Sequence, residues 1–268
     1  MSAEKIILIT GASSGVGRAT ARLLAERGYQ VLGTSRNPDS SDAIPSVEML
    51  KLDVRSDAAV SACVDAAGPI DVLVNNAGYE LAGAVEEASL DELTAQFETN
   101  FFGVARMVKA VLPIMRRRKR GRIINVSSLA GMVPIPFMGI YSASKFALEG
   151  YTAALRHEVS PFNVHVSLVE VGFLRTPMME HRQVVRETIE DYGPWRRSAL
   201  DAVATAEQQG PGPELVAQTI RAIVESSKPR LRYVRGREAN LVSRLQRWLP
   251  EAVFETGVRR NFGLDRRK

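Results

Sequence analysis

A short apolar run, Ile6-Ile7-Leu8-Ile9, leads directly into Thr10-Gly-Ala-Ser-Ser-Gly-Val-Gly17, and residues 15–27 then carry Val16, Ala19, Leu23 and Leu24 at helical spacing. This strand–turn–helix unit constrains the chain more than any other feature. An uninterrupted apolar run is the pattern of a strand buried on both faces. Gly11 allows the tight turn, Gly15 lets backbone approach an anion, and Gly17 lets the helix pack close to the sheet. The helix N-terminus offers free N–H groups and partial positive charge. The turn, with Ser13, Ser14 and Val16, is read as a cradle for a pyrophosphate.

The same alternation continues. Strand-like segments fall at Val31-Leu32, Val47–Leu52, Val72–Val74, Ile123–Val126, Val164–Val169 and Leu231–Val234. Helical spacing falls at 58–67, 90–118, 141–159 and 214–225, and a further helix is expected near 238–248. Such alternation implies an α/β doubly wound parallel sheet of about seven strands, with helices on both faces in three layers. No composition break divides residues 1–268, which are read as one domain. Residues 178–212 are polar, with Trp195 and a Gly-Pro-Gly-Pro stretch at 210–213, and are read as an inserted lid.

Charge and cysteine content narrow the setting. Lys228 to Lys268 holds 12 Lys/Arg against 4 Asp/Glu, so a basic tail (about 235–268) follows a slightly acidic body. The tail is read as a solvated or self-associating segment, with an anionic membrane surface as the alternative. No nucleic-acid partner is expected: the basic run 116–120 closes a helix whose C-terminal dipole it complements. One cysteine, Cys63, excludes a disulfide framework and fits a cytoplasmic, reducing compartment. No apolar stretch approaches the roughly 20 residues of a membrane span, so a soluble protein is expected.

Two further sites carry chemistry. The end of the second strand reads Gly33-Thr-Ser35-Arg36-Asn, with a guanidinium and no carboxylate. An acidic residue there would hold ribose hydroxyls, whereas Arg36 pairs with a 2′-phosphate, so NADP(H) is expected over NAD. Tyr141 and Lys145 lie one helical turn apart on one face. A free phenol has a pKa of about 10, and a neighbouring ammonium is expected to lower it; a drop of about three corresponds to roughly 4 kcal/mol.

These pieces, in this order, resemble the short-chain dehydrogenase/reductase family, in the subfamily with the G-x-x-x-G-x-G turn. Besides the turn from Gly11 and the Tyr141/Lys145 pair, the matching segments are Leu52-Asp53-Val54, Asn75-Asn-Ala-Gly78, Asn100 and Ser127-Ser128. The resemblance spans about residues 5–235 and implies a Rossmann-type fold. It implies a catalytic tetrad of Asn100, Ser128, Tyr141 and Lys145; Ser128 is chosen because the family's serine precedes the tyrosine by 13 positions. It implies that Asp53 and Val54 contact adenine, that Asn76, Ala77 and Gly78 line the cofactor cleft, and that Gly172 and Thr176 meet the nicotinamide end. Tyr141 would protonate the carbonyl oxygen, Ser128 would polarise it, and Lys145 would bind the nicotinamide ribose. Asn100 would hold a water joining Lys145 to solvent. One departure stands out: Val171 precedes Gly172 where the family usually has proline.

The resemblance places the apolar stretch 131–138 on the substrate wall, so Ser128, Met132, Phe137, Met138, Tyr141 and Phe173 are the expected substrate contacts. A hydrophobic ketone or secondary alcohol follows, such as a steroid, a retinoid or an aromatic ketone. Glu80 is read as a solvated loop carboxylate. His157, His165 and His181 lack ligand spacing, so no metal is expected. Two alternatives remain open: a regulator that binds NADP(H) without turnover, and an isomerase or dehydratase on the same scaffold. The resemblance further implies a homodimer or homotetramer pairing through 90–118 and 141–159, where Ala143, Ala147, Gly150 and Ala154 permit close approach.

Overall fold

The computed structural model describes residues 5–40, 43–179, 182–236, 239, 241–242 and 248–265. Seven strands form one parallel sheet: β1 (Ile6–Ile9), β2 (Gln30–Ser35), β3 (Val47–Lys51), β4 (Val72–Asn75), β6 (Gly121–Val126), β7 (Val164–Val171) and β9 (Arg232–Arg235). Their spatial order is β3-β2-β1-β4-β6-β7-β9. The order reverses between β1 and β4, and in such sheets ligands bind at this switch point, beyond the strands' carboxyl ends. The fold is the Rossmann-type α/β architecture expected.

The pleat explains the continuous apolar strands. Ile7 and Ile9 face one core, with Val72, Val74 and Ile124, and α1 (Gly15–Ala25) and α7 (Glu214–Glu225) cover it. Leu8, Leu73 and Ile123 face the other, beneath α2 (Asp57–Ala67), α4 (Gly103–Arg118) and α5 (Gly139–Val159). Successive residues of one strand enter different cores, so both faces must be apolar.

The helix expected over 90–118 is interrupted. α3 (Leu90–Phe97) starts at Ser89 with a reciprocal capping box to Glu92. A π-turn over Glu98–Phe102 then joins it to α4. The basic run closing α4 is tied into the fold: Arg118 and Arg120 both pair with the buried Asp71, at 3.0 and 2.9 Å.

Within 178–212, the described residues include a short strand β8 (Gln183–Val184) and a helix α6 (Gly193–Gln208). β8 pairs in parallel with β5 (Leu81–Ala82), outside the main sheet. Most of the helix expected near 238–248 lies outside the described residues. The described tail contains α8 (Glu251–Asn261), after which Phe262 packs beside α6.

Candidate active site

The carboxyl ends of the strands open on one cleft of about 1090 Å³. Along it lie the residues expected for a dinucleotide: Gly11, Ser13, Ser14, Gly15 and Val16, then Ser35 and Arg36, Asp53 and Val54, Asn76 to Gly78, and Gly172 and Thr176. Ser128, Tyr141 and Lys145 line the same cleft. Gly17 lies behind the surface and is structural. A Cβ there would stand 2.2 Å from the Gly11 carbonyl oxygen and 2.5 Å from Asn76 Nδ2.

The cradle is built for an anion. Gly11 and Gly15 take positive φ, 66° and 52°, turning the backbone into α1. Ser14 caps α1 without a side-chain bond, and the helix has no acidic residue in its first turn, so its positive end stays free for a ligand. Asn76 braces the turn by donating to the Thr10 and Gly11 carbonyls at 3.0 Å each. The stretch Thr34 to Asn37 along the cleft contains no carboxylate. Further on, Asp53 is held by Arg55, whose guanidinium and backbone N–H both donate to it. Those bonds, with the Arg55 charge, keep its carboxyl below the usual carboxylate range. These features fit a nicotinamide dinucleotide.

At the other end, the first turns of α5 bring Tyr141 and Lys145 to one face, both over nine-tenths buried. The Lys145 amine lies 5.8 Å from the Tyr141 ring centre and donates to the Val126 carbonyl at 3.0 Å. Burial lowers the lysine to about 8, while the Glu80 and Glu149 carboxylates oppose that fall. The phenol moves opposite to the direction expected. Burial pushes the Tyr141 pKa well up, and the Glu80 and Glu207 carboxylates add to the rise; lowering comes from Ser128 and Arg182. The phenol is therefore held protonated, a proton donor at neutral pH rather than a ready base.

Asn100 is fixed by direct bonds. It sits in the π-turn, 1 % exposed. Its amide donates to the Tyr79 carbonyl at 3.0 Å and to Ser144 Oγ at 3.2 Å, and accepts from the Tyr79 N–H at 3.1 Å. It fastens the loop after Gly78.

The substrate end departs further from expectation. Met138 and Phe173 line the cleft, as do Ile135, Leu174, Met178 and Val203. Met132 and Phe137 do not. Phe137 has φ of +59°, which directs its carbonyl to the Gly83 N–H and its ring towards Tyr192, 6.2 Å away. Glu80 is not a solvated carboxylate: it is buried and accepts from Arg182 at 2.9 Å. Arg182 also donates to Glu207, at 2.5 Å. Val203 and Glu207 reach the cleft from one face of α6. Their four-residue spacing was visible in the sequence, but the tertiary contact that brings α6 over Tyr141 was not. With valine at 171, β7 runs to that residue and pairs with Arg235.

Comparison with known proteins agrees with this architecture. The short chain dehydrogenase family profile matches residues 5–186. The chain is 42 % identical over 262 residues to a 3-ketodihydrosphingosine reductase of Bacteroides thetaiotaomicron, covering 95 % of this chain and 97 % of that one. It is 36 % identical over 258 residues to human retinol dehydrogenase 8, covering 86 % and 81 %. Among solved structures, a short-chain dehydrogenase from Streptomyces avermitilis superposes with a TM-score of 0.80 at 32 % identity, covering 96 % and 99 %. Solved neighbours hold NAD in one case and NADP in another.

Proposed function

The chain belongs to the short-chain dehydrogenase/reductase family of oxidoreductases, and from that premise we propose that it reduces a hydrophobic ketone with NADPH. One observation carries this reading: a single continuous cleft joins Arg36 at one end to a buried, protonated Tyr141 at the other. Bound NADPH would supply the hydride to the carbonyl carbon. Tyr141 delivers the proton to the carbonyl oxygen, and Ser128, within bonding reach of the phenol, polarises the same oxygen. Lys145, charged below about pH 8, would hold the nicotinamide ribose and offset developing negative charge. Arg36 and Ser35 would take the 2′-phosphate. Asn100 keeps the floor of the cleft in place through Tyr79.

Ile135, Met138, Phe173, Leu174 and Val203 give the substrate end an apolar lining. The names of two relatives, a ketodihydrosphingosine reductase and a retinol dehydrogenase, support the same substrate character. Residues 178–212 act as a lid, because α6 places Val203 and Glu207 against the cleft and packs beside Tyr141. The protein assembles through α4 and α5. Phe102, just before α4, and Phe146 on α5 are exposed, and a side chain at Gly150 would meet nothing within 4 Å. No helix among the described residues is long and apolar enough to cross a membrane.

The test is a panel of steroid, retinoid, aromatic and long-chain ketones, followed by loss of NADPH absorbance and repeated with NADH. The reading expects turnover of at least one apolar ketone and kcat/KM at least tenfold higher with NADPH. No turnover, or a clear preference for NADH, would overturn it.

A further inference from the structure

Glu80, Arg182 and Glu207 form a buried charged triad in an otherwise apolar part of the cleft. Their side chains are 11, 10 and 8 % exposed. Two carboxylates share one guanidinium. The Lys145 charge also offsets Glu80. Arg182 donates to Glu207 Oε1, while Oε2 is buried with no hydrogen-bond partner. Burial and the Glu80 charge hold the Glu207 carboxyl up at about 7. An isolated buried carboxylate oxygen is costly, and most such groups are paired. Glu207 lines the cleft, and its charge is felt at the Tyr141 phenol, where the ketone would be reduced.

We propose that Glu207 Oε2 is a receptor for a cationic hydrogen-bond donor on the substrate, a primary ammonium close to the carbonyl. The inference rests on the hydrophobic-ketone reading and narrows it to long-chain amino ketones. The ammonium would complete the triad by donating to the Glu207 oxygen that Arg182 leaves unbonded. A plain ketone would leave Oε2 buried and unpaired. The apolar residues beside it, Val203 and Met138, would receive the chain.

Two measurements test this with the full-length protein. In the first, kcat/KM with NADPH is compared for a long-chain 2-amino ketone and the same ketone without the amine. Wild type is expected to favour the amino ketone by about 10- to 100-fold, the range of a charge-assisted hydrogen bond. In Glu207→Gln that ratio should fall to within about twofold, whatever the absolute rates. The second needs no turnover: calorimetric binding of decylammonium and of decyl methyl ether to the NADP-loaded protein. Wild type should bind the ammonium about tenfold or more tightly than the ether, and Glu207→Gln should bind both alike. Equal binding by wild type, or a preference that survives in Glu207→Gln, overturns the receptor. If neither ketone is reduced while the ammonium preference stands, the reductase reading falls and the receptor stands.

Discussion

Burial sets the protonation of both groups at the reacting end, and it acts on them in opposite senses. The Tyr141 phenol is pushed up and keeps its proton; the Lys145 ammonium is pulled down to about 8 and stays charged below that value. Since the charged lysine is the form that binds and stabilises, kcat/KM should hold up to about pH 8 and decline above it, a profile read directly from steady-state rates. The stability contribution runs the other way. The cost of the buried ammonium is present in full below about 8 and lifts as pH rises towards 10.5, the ordinary lysine value. At the opposite end, Arg36→Ala should lower kcat/KM with NADPH by about 10- to 100-fold and leave NADH rates within about threefold, the cost of one charge-assisted pair. Identical losses with both cofactors would show that Arg36 does not read the phosphate. The residue scale was also the most legible in the sequence. Tyr141 and Lys145 are four positions apart on one helix, so local geometry alone puts them together. Asn100 lies in the stretch read as one long helix, but its partner Tyr79 arrives from a loop, and spacing along 90–118 carries no trace of that bond. Glu80 looked like a surface carboxylate because its partner, Arg182, lies 102 residues away.

At the scale of elements, the proposed lid is held by side chains on α3 and the loop before it. Glu87 accepts from the Ala84 and Ile189 N–H groups, at 2.7 and 2.9 Å, and also bonds Arg196 at the start of α6. Tyr192 donates to Glu86, and the Arg186 N–H donates to Glu92. Removing Glu87 strands Arg196 and two backbone donors, a loss of about 3 kcal/mol by analogy with other broken buried pairs. Glu87→Ala should therefore speed hydrogen exchange over 183–203 and raise KM for the ketone, with exchange in β1, β4 and β6 unchanged. Faster exchange throughout the sheet would mean that the lid and sheet open as one unit. The π-turn belongs to this scale too. It spans Glu98–Phe102 in the middle of α3 and α4 and turns Asn100 inward. The apolar spacing of residues 90–118 fits an uninterrupted helix, so one extra residue in a single turn left no signal there. The strands, by contrast, were legible because burial on both faces writes itself as an unbroken apolar run.

At the scale of the whole molecule, two cores share one sheet, and each inner strand supplies both. Ile124 is fully buried in the core beneath α1 and α7. Ile124→Ala should cost about 2–5 kcal/mol, lowering Tm by about 2–4 °C per kcal/mol for a chain of this size. Calorimetry would check this, and a change under 1 kcal/mol would show that the core relaxes around the gap. Phe146 stands 42 % exposed on α5. Phe146→Glu should shift the light-scattering mass to that of a monomer; an unchanged oligomer would place the interface elsewhere. The central claim concerns where the hydride and the proton come from. It is tested most directly by reducing an accepted ketone with NADPH in which both hydrogens at nicotinamide C4 are deuterium, using wild type and Tyr141→Phe. The account predicts deuterium on the carbinol carbon with wild type. It also predicts a rate at least about 10²-fold lower for Tyr141→Phe, with NADPH binding retained. Product without deuterium, or Tyr141→Phe turning over at the wild-type rate, would contradict it.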